Sequence, residues 1–188
     1  MEIQGTAIEG NAALIVIDVQ NGFDNPAWGK RNNPDAEANI GRLVDAWTAS
    51  GRPIVRVRHV SVRPGSPLGA GDTFKPVAAA IEPALEITKS VHSSFLGTPD
   101  LREWLDKAGI RQVVITGIQT NRCCETTARF AGDLGYDVLF ALDATYTFDK
   151  KAPDGTAYTA EQLSAATAAT LHDYFATVVT TADLVGGS

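Results

Sequence analysis

Residues Ala12 to Asp18 form an unbroken apolar run, Ala-Ala-Leu-Ile-Val-Ile, closed by a carboxylate. A run of strand length with no alternation suits a strand covered on both faces, as in a parallel sheet. The spacing then changes. From Asp35 to Ser50 the apolar residues Ala36, Ile40, Leu43, Val44 and Trp47 recur at helical intervals, with Gly51 beyond them as a stop. Pro53 to His59 predicts a second strand, and Val60 to Ala80, punctuated by Pro64, Gly65, Pro67, Gly69, Gly71 and Pro76, predicts a long loop. Loops of that length in compact domains tend to serve function, here as a lid or as a subunit contact.

Order resumes with a strand at Leu85 to Lys89 and a helix at Asp100 to Ala108, for which Thr98 is a candidate N-cap, Pro99 the first helical residue and Gly109 the stop. Further strands are predicted at Gln112 to Gly117, Asp137 to Asp143 and Phe175 to Thr181, and helices at Cys123 to Leu134 and Ala160 to Tyr174. Strands alternating with helices at this spacing imply right-handed βαβ crossovers. The expectation is a three-layer α/β/α arrangement around a mainly parallel, doubly wound, six-stranded sheet, in one domain spanning residues 1–188.

Composition narrows the function. Of 188 residues, 16 are Lys or Arg and 22 are Asp or Glu, a formal charge of −6. That balance lacks the basic footprint of phosphate-backbone binding, so no nucleic-acid partner is expected. It also hints at a neutral or cationic substrate. No run approaches the ~18 apolar residues of a membrane span, so no membrane partner is expected either. Met1-Glu2-Ile3-Gln4 carries neither a basic nor an apolar leader segment. The two cysteines, Cys123 and Cys124, are adjacent and cannot staple a fold, which makes a reducing cytoplasm the default location.

In open α/β sheets, ligands bind beyond the carboxyl ends of the strands. Asp18, His59, Lys89 and Asp143 each close a predicted strand, and Cys123 opens a helix after another. Each has a second reading: Asp18 as a turn or helix cap, Lys89 as a solvated surface lysine, His59 as a structural imidazole. The cysteines separate by geometry. Cys124 shares a stripe with Thr127, Ala128, Ala131 and Leu134 and reads as a small core residue. Cys123 lies about 100° away in the first helical turn, where free amides, and any nearby lysine, favour a thiolate. It is the candidate nucleophile. The connection Gly117 to Arg122 is either an oxyanion-binding turn or an ordinary strand-to-helix junction.

Three segments carry a resemblance: Leu14-Ile-Val-Ile-Asp-Val-Gln-Asn-Gly-Phe23, Thr88-Lys-Ser-Val-His-Ser-Ser-Phe-Leu-Gly-Thr98 and Val114-Ile-Thr-Gly-Ile-Gln-Thr-Asn-Arg-Cys-Cys-Glu-Thr-Thr-Ala-Arg129. In this order the chain resembles the isochorismatase-like cysteine hydrolases, a superfamily that includes nicotinamidases, N-carbamoylsarcosine amidase, biuret and ureidoacrylate amidohydrolases and streptothricin hydrolase. The resemblance implies a catalytic Asp–Lys–Cys triad at Asp18, Lys89 and Cys123. It also implies a cis peptide between Ile118 and Gln119, and an oxyanion hole from the Gln119 and Cys123 amides. The implied chemistry is C–N hydrolysis of a small amide, ureide or lactam through a thioester, without a cofactor, in a homo-oligomer such as a dimer or tetramer.

Two departures matter. Nicotinamidases carry a metal site of the form Asp-x-His followed by a further His after their second strand. Here the matching positions read His59-Val60-Ser61, and His59, His92 and His172 are the chain's three histidines. No metal is therefore expected. True isochorismatases lack the cysteine nucleophile, so Cys123 favours amide over vinyl-ether hydrolysis, with a non-catalytic binding protein as the further alternative. Candidate substrate contacts are Gln20, Phe23, Trp28, Arg31, His59 and Gln119, with Asn32 beside them. Trp28 is read equally as a residue packing at a subunit contact. The segments Trp28 to Asn33 and Arg58 to Ser61 look most like streptothricin-hydrolase-like members.

Overall fold

The structure is a computed structural model, and it describes residues 7–186. The leader expectation at Met1 to Gln4 lies outside the described residues. Six parallel strands form the central sheet: β1 (Ala13–Ile17), β2 (Ile54–His59), β3 (Leu85–Lys89), β4 (Gln112–Ile118), β5 (Asp137–Tyr146) and, after a small antiparallel hairpin of β6 (Lys150–Lys151) and β7 (Ala157–Tyr158), β8 (Thr177–Val179). Their order across the sheet is β3-β2-β1-β4-β5-β8. The winding direction therefore reverses between β1 and β4. A reversal opens a crevice at the carboxyl ends of those two strands, and Asp18 and Cys123 follow them.

The apolar run of β1 is buried on both sides because successive side chains serve different layers. Leu14 and Val16 join the core beneath α1 (Ala36–Ser50), α2 (Pro76–Ala79) and α6 (Thr181–Val185), with Ile40, Leu43, Trp47 and Leu184. Ala13, Ile15 and Ile17 join the opposite core beneath α3 (Leu101–Lys107), α4 (Glu125–Asp133) and α5 (Ala160–Leu171), with Leu101, Leu105, Ala128 and Leu171. Trp47 is wholly buried and spends its indole N–H on the Ala12 carbonyl at 2.9 Å. β1 and β4 approach so closely at Gly117 (φ 127°) that a Cβ there would lie 2.0 Å from the Ile17 carbonyl oxygen. Glycine is required at that point.

Several boundaries differ from expectation. Thr98 does not cap α3, because its backbone pairs with Thr88 in both directions at 2.9 Å and extends the sheet edge. Asp100 caps instead, accepting the Glu103 N–H at 2.9 Å. β5 runs three residues past Asp143, to Tyr146, across a register shift against β4. β8 is short because Thr180 starts α6 with a reciprocal capping box to Asp183. The 60–80 loop contains the single turn α2 and lays Ser61 to Pro67 along the crevice wall.

Candidate active site

Asp18 leaves β1 in the left-handed region at φ 52°, a conformation Asp tolerates better than most residues. Its N–H donates to the Val57 carbonyl at 3.0 Å, which ties it to the end of β2. Lys89 is the last residue of β3 and sits in register with His59. Its Nζ donates to Asp18 Oδ2 at 2.6 Å, and both side chains are sealed from solvent. Residues 71 positions apart along the chain thus form a buried ion pair.

Cys123 stands in the wide, π-helical turn Thr120–Cys124 that joins β4 to α4. Its sulfur lies within 4.8 Å of donor atoms of both Asp18 and His59, beside the Lys89 ammonium that Asp18 holds. Cys124, its neighbour, packs in the core, as its helical stripe predicts. The peptide between Ile118 and Gln119 is cis. The Gln119 carbonyl accepts the N–H groups of Arg122 and Cys124 at 3.1 and 3.2 Å, and so folds the turn back on itself.

The charge states follow from this enclosure. Burial pushes the Cys123 thiol up, and the Asp18 carboxylate pushes it further, with Lys89 only partly opposing them. The resting sulfur therefore keeps its proton, contrary to the expectation that the helix start and a lysine would favour a thiolate. Burial and an adjacent anion outweigh a partial helix charge. Burial works against the charge on Lys89, but Asp18 and then Cys123 hold its pKa above the ordinary lysine value. Asp18 keeps one carboxylate oxygen, Oδ1, buried with no hydrogen-bond partner among the described residues.

His59 completes the cluster. Lys89 Nζ lies 3.2 Å from His59 Nδ1. An ammonium can only donate, so Nδ1 accepts and the imidazole proton belongs on Nε2. Burial, and then the Lys89 charge, hold His59 below the ordinary imidazole value, although Asp18 pulls the other way. Donor atoms of Asp18, His59 and Cys123 all lie within 4.8 Å of one another, a spacing that could hold a metal ion. The cation among them is the Lys89 ammonium itself. The nicotinamidase-type metal site does not fit this chain either: Val60 offers no donor, Ser61 stands where a histidine is needed, and His59 is engaged by Lys89.

Next to the cluster, and sharing His59 with it, opens a crevice of about 430 Å³, walled by Trp28, His59, Ser61, Arg63, His92 and Arg122, among others. Asp18, Lys89 and Cys123 stay behind that wall. Two sequence-predicted contacts, Trp28 and His59, are in that wall. The Trp28 indole N–H is fixed to the Gly22 carbonyl at 2.8 Å, and its ring stacks on Phe148 with centroids 5.7 Å apart.

The other predicted contacts serve the scaffold. Gln20 is wholly buried; it accepts the His59 N–H at 2.7 Å and donates to the His59 carbonyl and to Asp72. With both amide N–H groups donated and its oxygen accepting the His59 N–H, this side chain is committed to the scaffold. Phe23 is 4% exposed and packs in the core against Trp28 and Phe148. Arg31 forms a two-pronged bond with Glu37 and lies over the Tyr146 ring, 3.3 Å from its centroid. Asn32 bridges Ser164 and the Thr147 N–H. Gln119 is 3% exposed, with its side-chain oxygen 3.4 Å from the Thr147 hydroxyl. Asp143 is also removed from the chemical edge: its carboxylate accepts the N–H and hydroxyl of Thr181 and anchors α6.

Sequence reasoning missed His92, Arg63 and Arg122 in the crevice wall. His92 follows Lys89 by three residues and Arg122 precedes Cys123, so proximity to those two residues was the available signal.

A doubly wound α/β/α frame with Asp18, Lys89 and Cys123 gathered at its switch point defines an isochorismatase-type hydrolase architecture. The family model for the isochorismatase domain matches residues 12–183, and the chain belongs to this family of hydrolases. It is 40% identical over 181 residues to the uncharacterized isochorismatase family protein YrdC of Bacillus subtilis, covering 95% of this chain and 96% of that one. Nicotinamidase 3 of Arabidopsis thaliana is 32% identical over 161 residues, covering 77% and 78%. A crystal structure of an isochorismatase-family protein from Chromobacterium violaceum superposes with a TM-score of 0.93 at 34% identity, covering 99% of this chain and 97% of that one.

Proposed function

We propose that this chain is a cysteine hydrolase that cleaves a C–N bond of a small amide, ureide or lactam. The observation that carries the reading is the buried Asp18–Lys89 pair with the Cys123 sulfur within 4.8 Å of an Asp18 oxygen, next to an open crevice that His59 also lines. Similarity to a nicotinamidase, a C–N hydrolase by name, supports it.

In this reading Asp18 takes the thiol proton through its free oxygen as the Cys123 sulfur attacks the carbonyl carbon. Lys89 holds the carboxylate in place and keeps a positive charge beside the sulfur as it becomes anionic. The tetrahedral oxyanion is held by backbone N–H groups of the strand-to-helix turn, those of Gln119 and Cys123 being the candidates. The C–N bond breaks as Asp18 returns its proton to the departing nitrogen, leaving a thioester on Cys123. Asp18 then deprotonates a water that attacks the thioester, and the sulfur recovers a proton. No step needs a metal or an organic cofactor.

The test is a screen of ammonia or amine release over small amides, ureides and lactams, with Cys123→Ala as control. Release by the wild type that Cys123→Ala loses supports the reading. Amine release that survives Cys123→Ala would contradict the sulfur nucleophile, and hydrolysis of a vinyl ether that survives Cys123→Ala but requires Asp18 would favour the isochorismatase-type alternative.

A further inference from the structure

The crevice wall is positively charged in a protein of net charge −6. Arg63 and Arg122 both line it, and no Asp or Glu does. Among the described residues neither guanidinium is held in an ion pair, whereas those of Arg31, Arg56, Arg111 and Arg129 are. The nearby carboxylates are already committed: Asp18 to Lys89, Asp24 to Lys75, and Asp72 to Gln20 and the Gly22 N–H. Lys150 adds a further cation, with its Nζ 5.8 Å from the Trp28 ring.

Accepting Cys123 as the nucleophile, we infer that the substrate carries a carboxylate or an equivalent oxyanion remote from the scissile bond, bound by Arg122 and Arg63 with its flat portion against Trp28. The Asp18–Lys89 pair behind the crevice wall cancels itself. His92 and His59 contribute no charge at neutral pH, because burial and the nearby cations keep both below the ordinary imidazole value. Burial, and then Arg122, lower the Lys150 pKa, which places these two cations in one field. The arginines therefore dominate at the mouth, and their planar forks suit a carboxylate. The acidic balance of the whole chain had suggested a neutral or cationic substrate. Net charge describes the total surface, whereas a low-dielectric cleft focuses the field of the few charges lining it.

Alkylation of Cys123 reads this selection without a known substrate. Iodoacetate and iodoacetamide transfer similar groups to sulfur with loss of iodide, and differ in carrying a carboxylate or a neutral amide. Their rates on Cys123, followed by mass spectrometry of the intact chain, are compared with their rates on free cysteine. We expect the iodoacetate-to-iodoacetamide ratio to rise about tenfold over that of free cysteine and to fall with added salt. Arg122→Gln and Arg63→Gln should each lower the ratio at least about threefold, Arg122→Lys should restore part of it, and Lys107→Gln, outside the crevice, should leave it unchanged. A ratio on Cys123 no higher than on free cysteine, or one that both arginine variants leave intact, overturns the inference while the nucleophile stands. Labelling of Cys123 by neither reagent overturns the nucleophile and the inference together.

Discussion

Two clusters of cations and carboxylates lie at the carboxyl edge of the sheet, one partly exposed and one sealed, and they are built to different ends. In one, Lys75 bonds Asp24 and lies 3.3 Å from Glu37, which also takes both prongs of Arg31. Every carboxylate there faces a matched donor, and the cluster staples the loop carrying Phe23 and Trp28 to α1. In the other, Asp18 meets a single ammonium, keeps an unpartnered oxygen, and shares its enclosure with a thiol. The first cluster is saturated, and the second is left one proton acceptor short of saturation beside a nucleophile. Both contain an Asp–Lys pair, so the pair alone does not mark chemistry. The spare acceptor, the sulfur and the neighbouring crevice do.

The largest expected difference between the clusters is in turnover. Asp18→Asn should reduce amide hydrolysis at least about 10³-fold, because it removes the group that receives and returns the proton. The same change should move the Cys123 pKa down, since a carboxylate that raises it is gone while Lys89 remains. Thiolate ultraviolet absorbance across pH measures that shift.

Stability separates the clusters next. Lys89→Met leaves Asp18 buried without its counter-ion and should cost about 3–5 kcal/mol in urea unfolding. The effect of pH is smaller and has a defined sign. The folded-state pKa of Cys123 is raised above its ordinary value of 9.0. Its contribution is therefore fully present below pH 9.0 and is lost as the pH climbs above it, by up to about 1.4 kcal/mol per pH unit. Lys89 acts with the same sign, beginning above its ordinary value of 10.5. Melting curves should be flat through neutrality and decline above pH 9.0, less steeply in Cys123→Ala. The smallest effect is at the saturated cluster. Arg31→Met should cost about 1 kcal/mol, because its pair with Glu37 is partly exposed. Turnover should stay within about twofold of wild type, as measured by steady-state kinetics.

Much of this was legible along the chain. The unbroken run at β1 announced a sheet buried on both faces, and strand ends delivered Asp18, Lys89 and Cys123 to one edge. The helical stripe through Cys124 separated the two sulfurs. Other features needed three dimensions. Gln20 and Arg31 have the right chemistry for ligand contacts, and only their partners, the His59 backbone and Glu37, show them spent on the scaffold. Asp143 looked like a strand terminus because the register shift that prolongs β5 leaves no mark in composition. The cationic crevice was hidden by an acidic total, since Arg63 and Arg122 lie on different loops. The Thr180-x-x-Asp183 box that starts α6 was readable and was absorbed into the last strand's apolar run.

The most direct measurement is site-resolved alkylation by iodoacetamide at neutral pH, with the two cysteines distinguished by peptide mapping. Both are buried and adjacent in sequence, but the Cys123 sulfur lies within 4.8 Å of donor atoms of Asp18 and His59, whereas Cys124 packs in the core. Labelling of Cys123 at least about 100-fold faster than Cys124 is the predicted result. Equal labelling of the two, or none at Cys123, would contradict it.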